Sequence, residues 1–221
     1  GETIMGGLVG DVPPEKNYWK YIRKICDDYD VHLIMDECYC GLGSSGKLHC
    51  IEWDGGTPDF LFVAKTLTSG YVPLGAVLTK SEIKNLLFKY NDRIQHGSTF
   101  QGHSLGVAAG IATQNIVNNK KMLNEINSKG VYMRKILSDE LGDHPFFFDI
   151  RGRGLRFSLE YNCKNKNNFG LTLFNKMLFE DNIYISAKWH RICFTPAYTI
   201  TFKECDFVLD RLIQKFKEQK I

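Results

Sequence analysis

The chain has 221 residues, enough for one or two domains with a sizeable core. Hydrophobic residues make up 43% and charged residues 24%, and a net charge of +3 is too small to argue for nucleic acid or a membrane surface as a partner. No apolar run reaches the roughly 20 residues of a membrane span, and seven cysteines without a secreted spacing pattern read as free thiols of a reducing, cytoplasmic compartment.

Gly1 to Pro14 is rich in glycine and proline and reads as a loop. From Glu15 to Tyr29 the residues Tyr18, Trp19, Ile22, Ile25 and Cys26 recur at helical steps, which predicts a helix with one buried face. Two short apolar runs follow. Val31 to Met35 ends in Asp36, and Phe60 to Ala64 ends in Lys65, with a glycine-marked loop from Cys38 to Asp59 between them. An apolar run that stops at one charge places that charge at the carboxyl end of a strand, the rim where α/β sheets bind ligands. Helix, strand and further strand predict a mostly parallel α/β arrangement. An aspartate and a lysine on one rim suit pyridoxal phosphate, which needs a lysine for its aldehyde and a carboxylate for its ring nitrogen.

Gly75 to Leu78 reads as a strand, Ser81 to Phe88 as a helix with Ser81 as N-cap, and Val107 to Val117 as a closely packed helix. The character changes near Asn118 to Lys121, which places a domain boundary near residue 119. Beyond it lie a helix from Met122 to Leu141, the PFFFDI run, the RGRG turn and the LRFSLEY strand. A helix at Leu171 to Asp181, a strand at Ile183 to Ile185, the extended ICFTPAYTI and a last helix at Glu204 to Gln219 complete a small α+β domain. Lys215 to Lys220 reads as the solvated face of that last helix.

Five blocks in order, ETIMGGLVGDVPP, LIMDECYCGLGSSGK, PDFLFVAKTLTSGYVPLGAVLT, HGSTFQGHSLGVAAG and DIRGRGLRFSLE, resemble the class III (ω-transaminase-like) aminotransferases of fold type I. The resemblance implies that residues 1–119 are part of the large cofactor domain and 120–221 the small C-terminal domain. It implies pyridoxal 5'-phosphate as cofactor, an amino donor and a keto acid as substrates, and a ping-pong exchange. The family's chains are longer and the resemblance begins in their middle. A second chain carrying the N-terminal half, in a homodimer-like assembly of the halves, is therefore implied as a partner.

Residue by residue, the resemblance makes Lys65 the catalytic lysine that also holds the cofactor. A lysine amine is a nucleophile only when deprotonated, and partial burial favours that state. Asp36 is the partner of the ring nitrogen. Cys38 stands where the family has a valine packed on the cofactor ring, and a thiol is apolar in effect. Ser44 stands where arginine is usual, a departure that bears on any anionic contact made there. Thr99 matches the threonine that reaches the phosphate of the neighbouring subunit. His96 and His103 read as structural hydrogen-bonders. Arg151, Arg153 and Arg191 are candidates for a substrate carboxylate, since a guanidinium grips one through two bonds. Arg191 is the one nearest the family's position, offset by two residues from Cys193, which occupies it.

Other readings compete. Gly41, Gly43 and Gly46 match the dinucleotide fingerprint GxGxxG, but the following KLHCIEWDGGTPD makes a poor helix. Cys38, Cys40, His49 and Cys50 could ligate zinc, yet their spacings miss the common pairs, and no metal is expected. A mutase, decarboxylase or racemase on the same scaffold, or a non-catalytic subunit of such an enzyme, are the alternatives to an aminotransferase.

Overall fold

The computed structural model describes residues 1–219, apart from 8, 91–93 and 95. The chain divides into two compact units, one of residues 1–3, 14–43 and 47–120, the other of residues 4–13, 44–46 and 121–221.

The first unit is built on helix α1 (Tyr18–Asp28) and strands β1 (Ile34–Asp36), β2 (Phe60–Val63) and β3 (Ala76–Thr79), with helices α2 (Ser81–Tyr90) and α3 (Ser104–Val117) following. The strands pair in that order. β1 and β2 run parallel, with Asp36 opposite Phe62. β2 and β3 run antiparallel, with Phe62 opposite Val77. Side chains alternate along a strand, so Met35, Leu61 and Val63 enter a core with Trp19, Leu33, Leu42 and Ile51. Ile34, Phe62 and Val77 face the other way and are exposed.

The helix expected over Glu15 to Tyr29 is shorter, and of its five apolar residues Tyr18 and Ile25 are exposed. Ser81 is the first helical residue of α2 rather than its cap. Asp59, one residue before β2, is buried and fastens this end of the sheet. Its carboxylate accepts from the Leu33 amide at 2.7 Å, from Arg23 at 2.6 Å and from Lys80 at 2.7 Å.

The second unit has helix α4 (Lys120–Leu141), strands β4 (Phe147–Arg153) and β5 (Arg156–Tyr161), helix α5 (Lys166–Asp181), strands β6 (Ser186–Lys188) and β7 (Arg191–Phe194), and helix α6 (Phe202–Lys217). Its antiparallel sheet has the order β4-β5-β7-β6. Ile126, Met133 and Leu137 of α4, Phe157, Leu159 and Tyr161 of β5, Leu173 and Met177 of α5, and Leu209, Leu212 and Phe216 of α6 share its core. At Gly130 helix α4 meets the β4–β5 turn so closely that a Cβ would lie 1.7 Å from the Gly154 carbonyl oxygen.

Three expectations are corrected here. α5 begins at Lys166, because Asn165 caps it by accepting from the Asn168 amide at 3.2 Å. No strand forms over Ile183 to Ile185. Asn182 takes a left-handed φ of 58° and the Ile183 amide returns to the Met177 carbonyl, so the strand starts only at Ser186. Lys215 is not solvated: it is buried and pairs with Glu180 at 2.5 Å and Asp181 at 3.0 Å. Lys220, the end of that run, lies outside the described residues.

Candidate active site

The candidate site lies in the first unit, where β1 and β2 end side by side. Asp36 is the last residue of β1, and Lys65 follows β2 by two residues. Because the strands are parallel and adjacent, both groups emerge at the same carboxyl rim. Lys65 opens a short 3-10 turn, Lys65–Leu67, with φ of 50°. For a side-chain-bearing residue that left-handed backbone costs about 1–2 kcal/mol. The expected partial burial is not found, because Lys65 is exposed. Its ammonium stands 5.6 Å from the centre of the Tyr39 ring, within cation–π range.

Asp36 is half-buried and accepts from the Cys38 amide at 2.9 Å through Oδ1. Cys38 is half-buried and feels both neighbours. Burial raises its thiol above the ordinary value, the Asp36 carboxylate adds to that, and the Lys65 amine opposes it. The structure thus brings Asp36, Cys38 and Lys65 into one electrostatic neighbourhood. A carboxylate and a lysine side chain on one rim fit the ring nitrogen and the aldehyde of pyridoxal phosphate.

Glu37, next along the chain, points the other way. It is buried and accepts from Thr3 Oγ1 at 2.8 Å, from the Cys50 amide at 2.7 Å and from the Ile51 amide at 2.6 Å. Burial raises its carboxyl above the ordinary value, against the pull of these donors. Glu37 therefore anchors the loop after β1 instead of facing the rim. Gly41 packs against it, since a Cβ there would lie 2.8 Å from the Glu37 carbonyl oxygen. The region that matched the dinucleotide fingerprint continues into the one-turn 3-10 helix Cys50–Trp53, not an α-helix. Among the described residues no cluster of three His, Cys, Asp or Glu could hold a metal ion, and the seven cysteines are free thiols.

Thr99 lies on a separate exposed turn, in which the Gln101 amide donates to the Ser98 carbonyl ahead of α3. His103 is the N-cap of α3, accepting from the Gly106 amide at 3.4 Å through Nδ1. His96 is exposed.

In the second unit Arg191 is 1% exposed. Its Nη2 donates to the Gly7 carbonyl at 2.7 Å and its guanidinium stacks 5.3 Å from the Trp189 ring centre. Arg151 is engaged by Asp149 at 2.7 Å, by Glu160 and by the Gly10 carbonyl at 3.1 Å. Tyr39 and Gln114, which touch Lys65 or its turn, were not singled out by the sequence. Their contacts are made across the fold, although Tyr39 lies inside the DECYCG block that drew attention to the region.

Residues 2–216 match the family model described as aminotransferase class-III, and the chain belongs to that family. It is 31% identical to an aminotransferase of Gibberella zeae over 98% of its own length and 45% of that protein. It is 35% identical to the acetylornithine aminotransferase of Caldanaerobacter subterraneus over 96% of itself and 51% of that protein. Among solved structures, an ornithine aminotransferase of Toxoplasma gondii, described with partial occupancy of PLP at its active site, matches with a TM-score of 0.85 and 29% identity. That match covers 97% of this chain and 50% of the other. The α/β fold is that of the fold-type-I transferases, and the chain spans about half the length of the curated relatives it matches.

Proposed function

We propose that this chain carries the cofactor lysine of a pyridoxal-phosphate-dependent aminotransferase, with Lys65 holding the aldehyde and Asp36 the ring nitrogen. The observation that supports this most is the placement of both groups at the ends of adjacent parallel strands. When bound, the cofactor supplies the electron sink that lets a substrate C–H bond ionise. Asp36 would hold the ring nitrogen, where its carboxylate favours the protonated form. Once a substrate amine displaces it from the aldehyde, the Lys65 Nζ would be free to accept the proton that leaves the substrate carbon and to give it back. Cys38 supplies an uncharged, apolar contact beside them, and Thr99 a hydroxyl for the phosphate of a neighbouring subunit. The two half-reactions use an amino donor and then a keto acid. The contacts of Arg191 support a structural role, so the substrate carboxylate is not assigned to it.

The partner is a segment equivalent to the family's N-terminal half, and the working unit is a dimer of such pairs. β1 and β2 form a parallel pair, an arrangement that α/β folds usually cover on both faces, although β3 joins them antiparallel. Here one face is covered and the other exposes Ile34, Phe62 and Val77. Residues 120–221 form the small domain, and the free thiols favour a reducing, cytoplasmic compartment.

The test is borohydride reduction of the natively purified assembly with cofactor, followed by peptide mapping. The expected result is an adduct on Lys65. No adduct, in material containing the N-terminal-half partner, overturns the enzyme reading. Single-turnover spectra with amino donors separate transamination from mutase, decarboxylase or racemase chemistry, because only transamination leaves aminated cofactor behind.

A further inference from the structure

The turn that carries Lys65 is held from a distance. Gln114, in the last turns of α3, donates its side-chain Nε2 to the Thr66 carbonyl at 3.2 Å and to the Leu67 carbonyl at 3.1 Å. The turn's own backbone bonds satisfy its amides: Leu67 donates to Ala64 at 3.0 Å and Thr68 to Lys65 at 3.3 Å. The Gln114 amide adds a donor to the Thr66 carbonyl, which the Ser69 amide also reaches at 3.2 Å, and another to the Leu67 carbonyl, so it bridges two successive peptide groups of the turn from outside it. α3 packs against this segment at ordinary contact distance. A Cβ at Gly110 would sit 3.7 Å from the Leu67 carbonyl oxygen, and one at Gly106 would sit 3.6 Å from Val72 and Leu74.

Such a clamp has a task at this point. Lys65 holds φ of 50° and Ser69 φ of 50°, backbone states that side-chain-bearing residues leave unless surrounding contacts impose them. Lys65 is exposed, so side-chain packing within this chain does little to fix its direction. The direction of the amine is set by the backbone beneath it, and Gln114 grips the two peptide groups that follow. We propose that Gln114 is a positioning residue for Lys65: its amide, bonded to the Thr66 and Leu67 carbonyls, keeps the left-handed turn that aims the Lys65 amine along the rim. This rests on the reading of Lys65 as the cofactor lysine.

The test uses the natively purified assembly carrying Gln114→Met, which keeps the length of the side chain and removes both donors. Gln114→Lys restores N–H donors at similar reach. At saturating cofactor, Gln114→Met lowers the rate of borohydride-trapped labelling of Lys65 by about tenfold, the scale expected of a misplaced reacting group. It also moves the pH midpoint of the bound cofactor's absorbance, and Gln114→Lys restores both. If Gln114→Met does not fold, Gln114→Asn, one methylene too short to span both carbonyls, takes its place in the same comparison. Unchanged Lys65 labelling and an unchanged pH midpoint, with only the melting temperature lowered, overturn the proposal and leave Gln114 a packing residue. Absence of Lys65 labelling in the unmutated assembly overturns the reading of Lys65 instead.

Discussion

Glu37 accepts a hydrogen bond from the amide of Cys50 at 2.7 Å, a tie between the end of β1 and the loop that leads to β2. The same carboxylate takes the Ile51 amide and the Thr3 hydroxyl, so one buried group gathers three separate stretches of chain. Glu37→Gln replaces one acceptor oxygen with an NH2 that faces donors. Bonds to a charged acceptor are worth about 1.5–3 kcal/mol. The variant is expected to lose about 2–3 kcal/mol, read as a lower urea midpoint with unchanged slope. An unchanged midpoint would show that the carboxylate is replaceable.

Asp59 gives the fold an acid dependence. Burial by itself would raise its carboxyl, but the hydrogen bonds from Lys80, Arg23 and the Leu33 amide outweigh that and hold it well below the usual carboxylate range. A depressed folded value means that the stabilisation is full above the unfolded value and is lost as pH falls towards the folded one. At pH 7 Asp59→Asn is expected to cost about 2–3 kcal/mol, and the gap to wild type narrows as pH drops below about 4. Unfolding free energies at pH 7 and pH 3 check this, and a gap that did not narrow would contradict it.

Gly130 allows α4 to touch the β4–β5 turn. Gly130→Ala would place a methyl 1.7 Å from the Gly154 oxygen, a backbone atom that cannot step aside alone. Overpacking of this kind costs about 3 kcal/mol or more. The expected outcome is a large fall in melting temperature, whereas Gly55→Ala, in open space but at φ of 70°, brings only backbone strain. Equal melting temperatures for the two variants would refute the close approach.

Cys38 reports on the rim without cofactor. With burial and then Asp36 raising its thiol, alkylation by iodoacetamide at pH 8 is expected to be slower than for a free peptide cysteine. Asp36→Asn should speed it, because an asparagine oxygen can still accept from the Cys38 amide while the negative charge is gone. Lys65→Ala should slow it further. Rates that ignored both substitutions would place Cys38 outside their field.

What could be read in the sequence and what could not follows from the range of the contacts. Asp36 and Lys65 were legible because an apolar run that ends in one charge is a local pattern, and a strand end is a local place. The cap of α5 was available as well, since Asn165 and Asn168 are three residues apart. The polar NKNN run nonetheless hid the helix start. The carboxylate of Glu37, the clamp of Gln114 and the ring of Tyr39 were not legible as such, because their partners are fixed by folding.

By itself the sequence determined the order of elements, the two charges at the rim and the family, since those depend on hydrophobic period and on blocks of neighbouring residues. Only the tertiary structure decided which charges remain available. Lys65 stays exposed, whereas Lys215 is taken up by Glu180 and Asp181, and Arg191 is buried on the Gly7 carbonyl. A charge stripped of water needs partners, and those partners are drawn from distant parts of the chain.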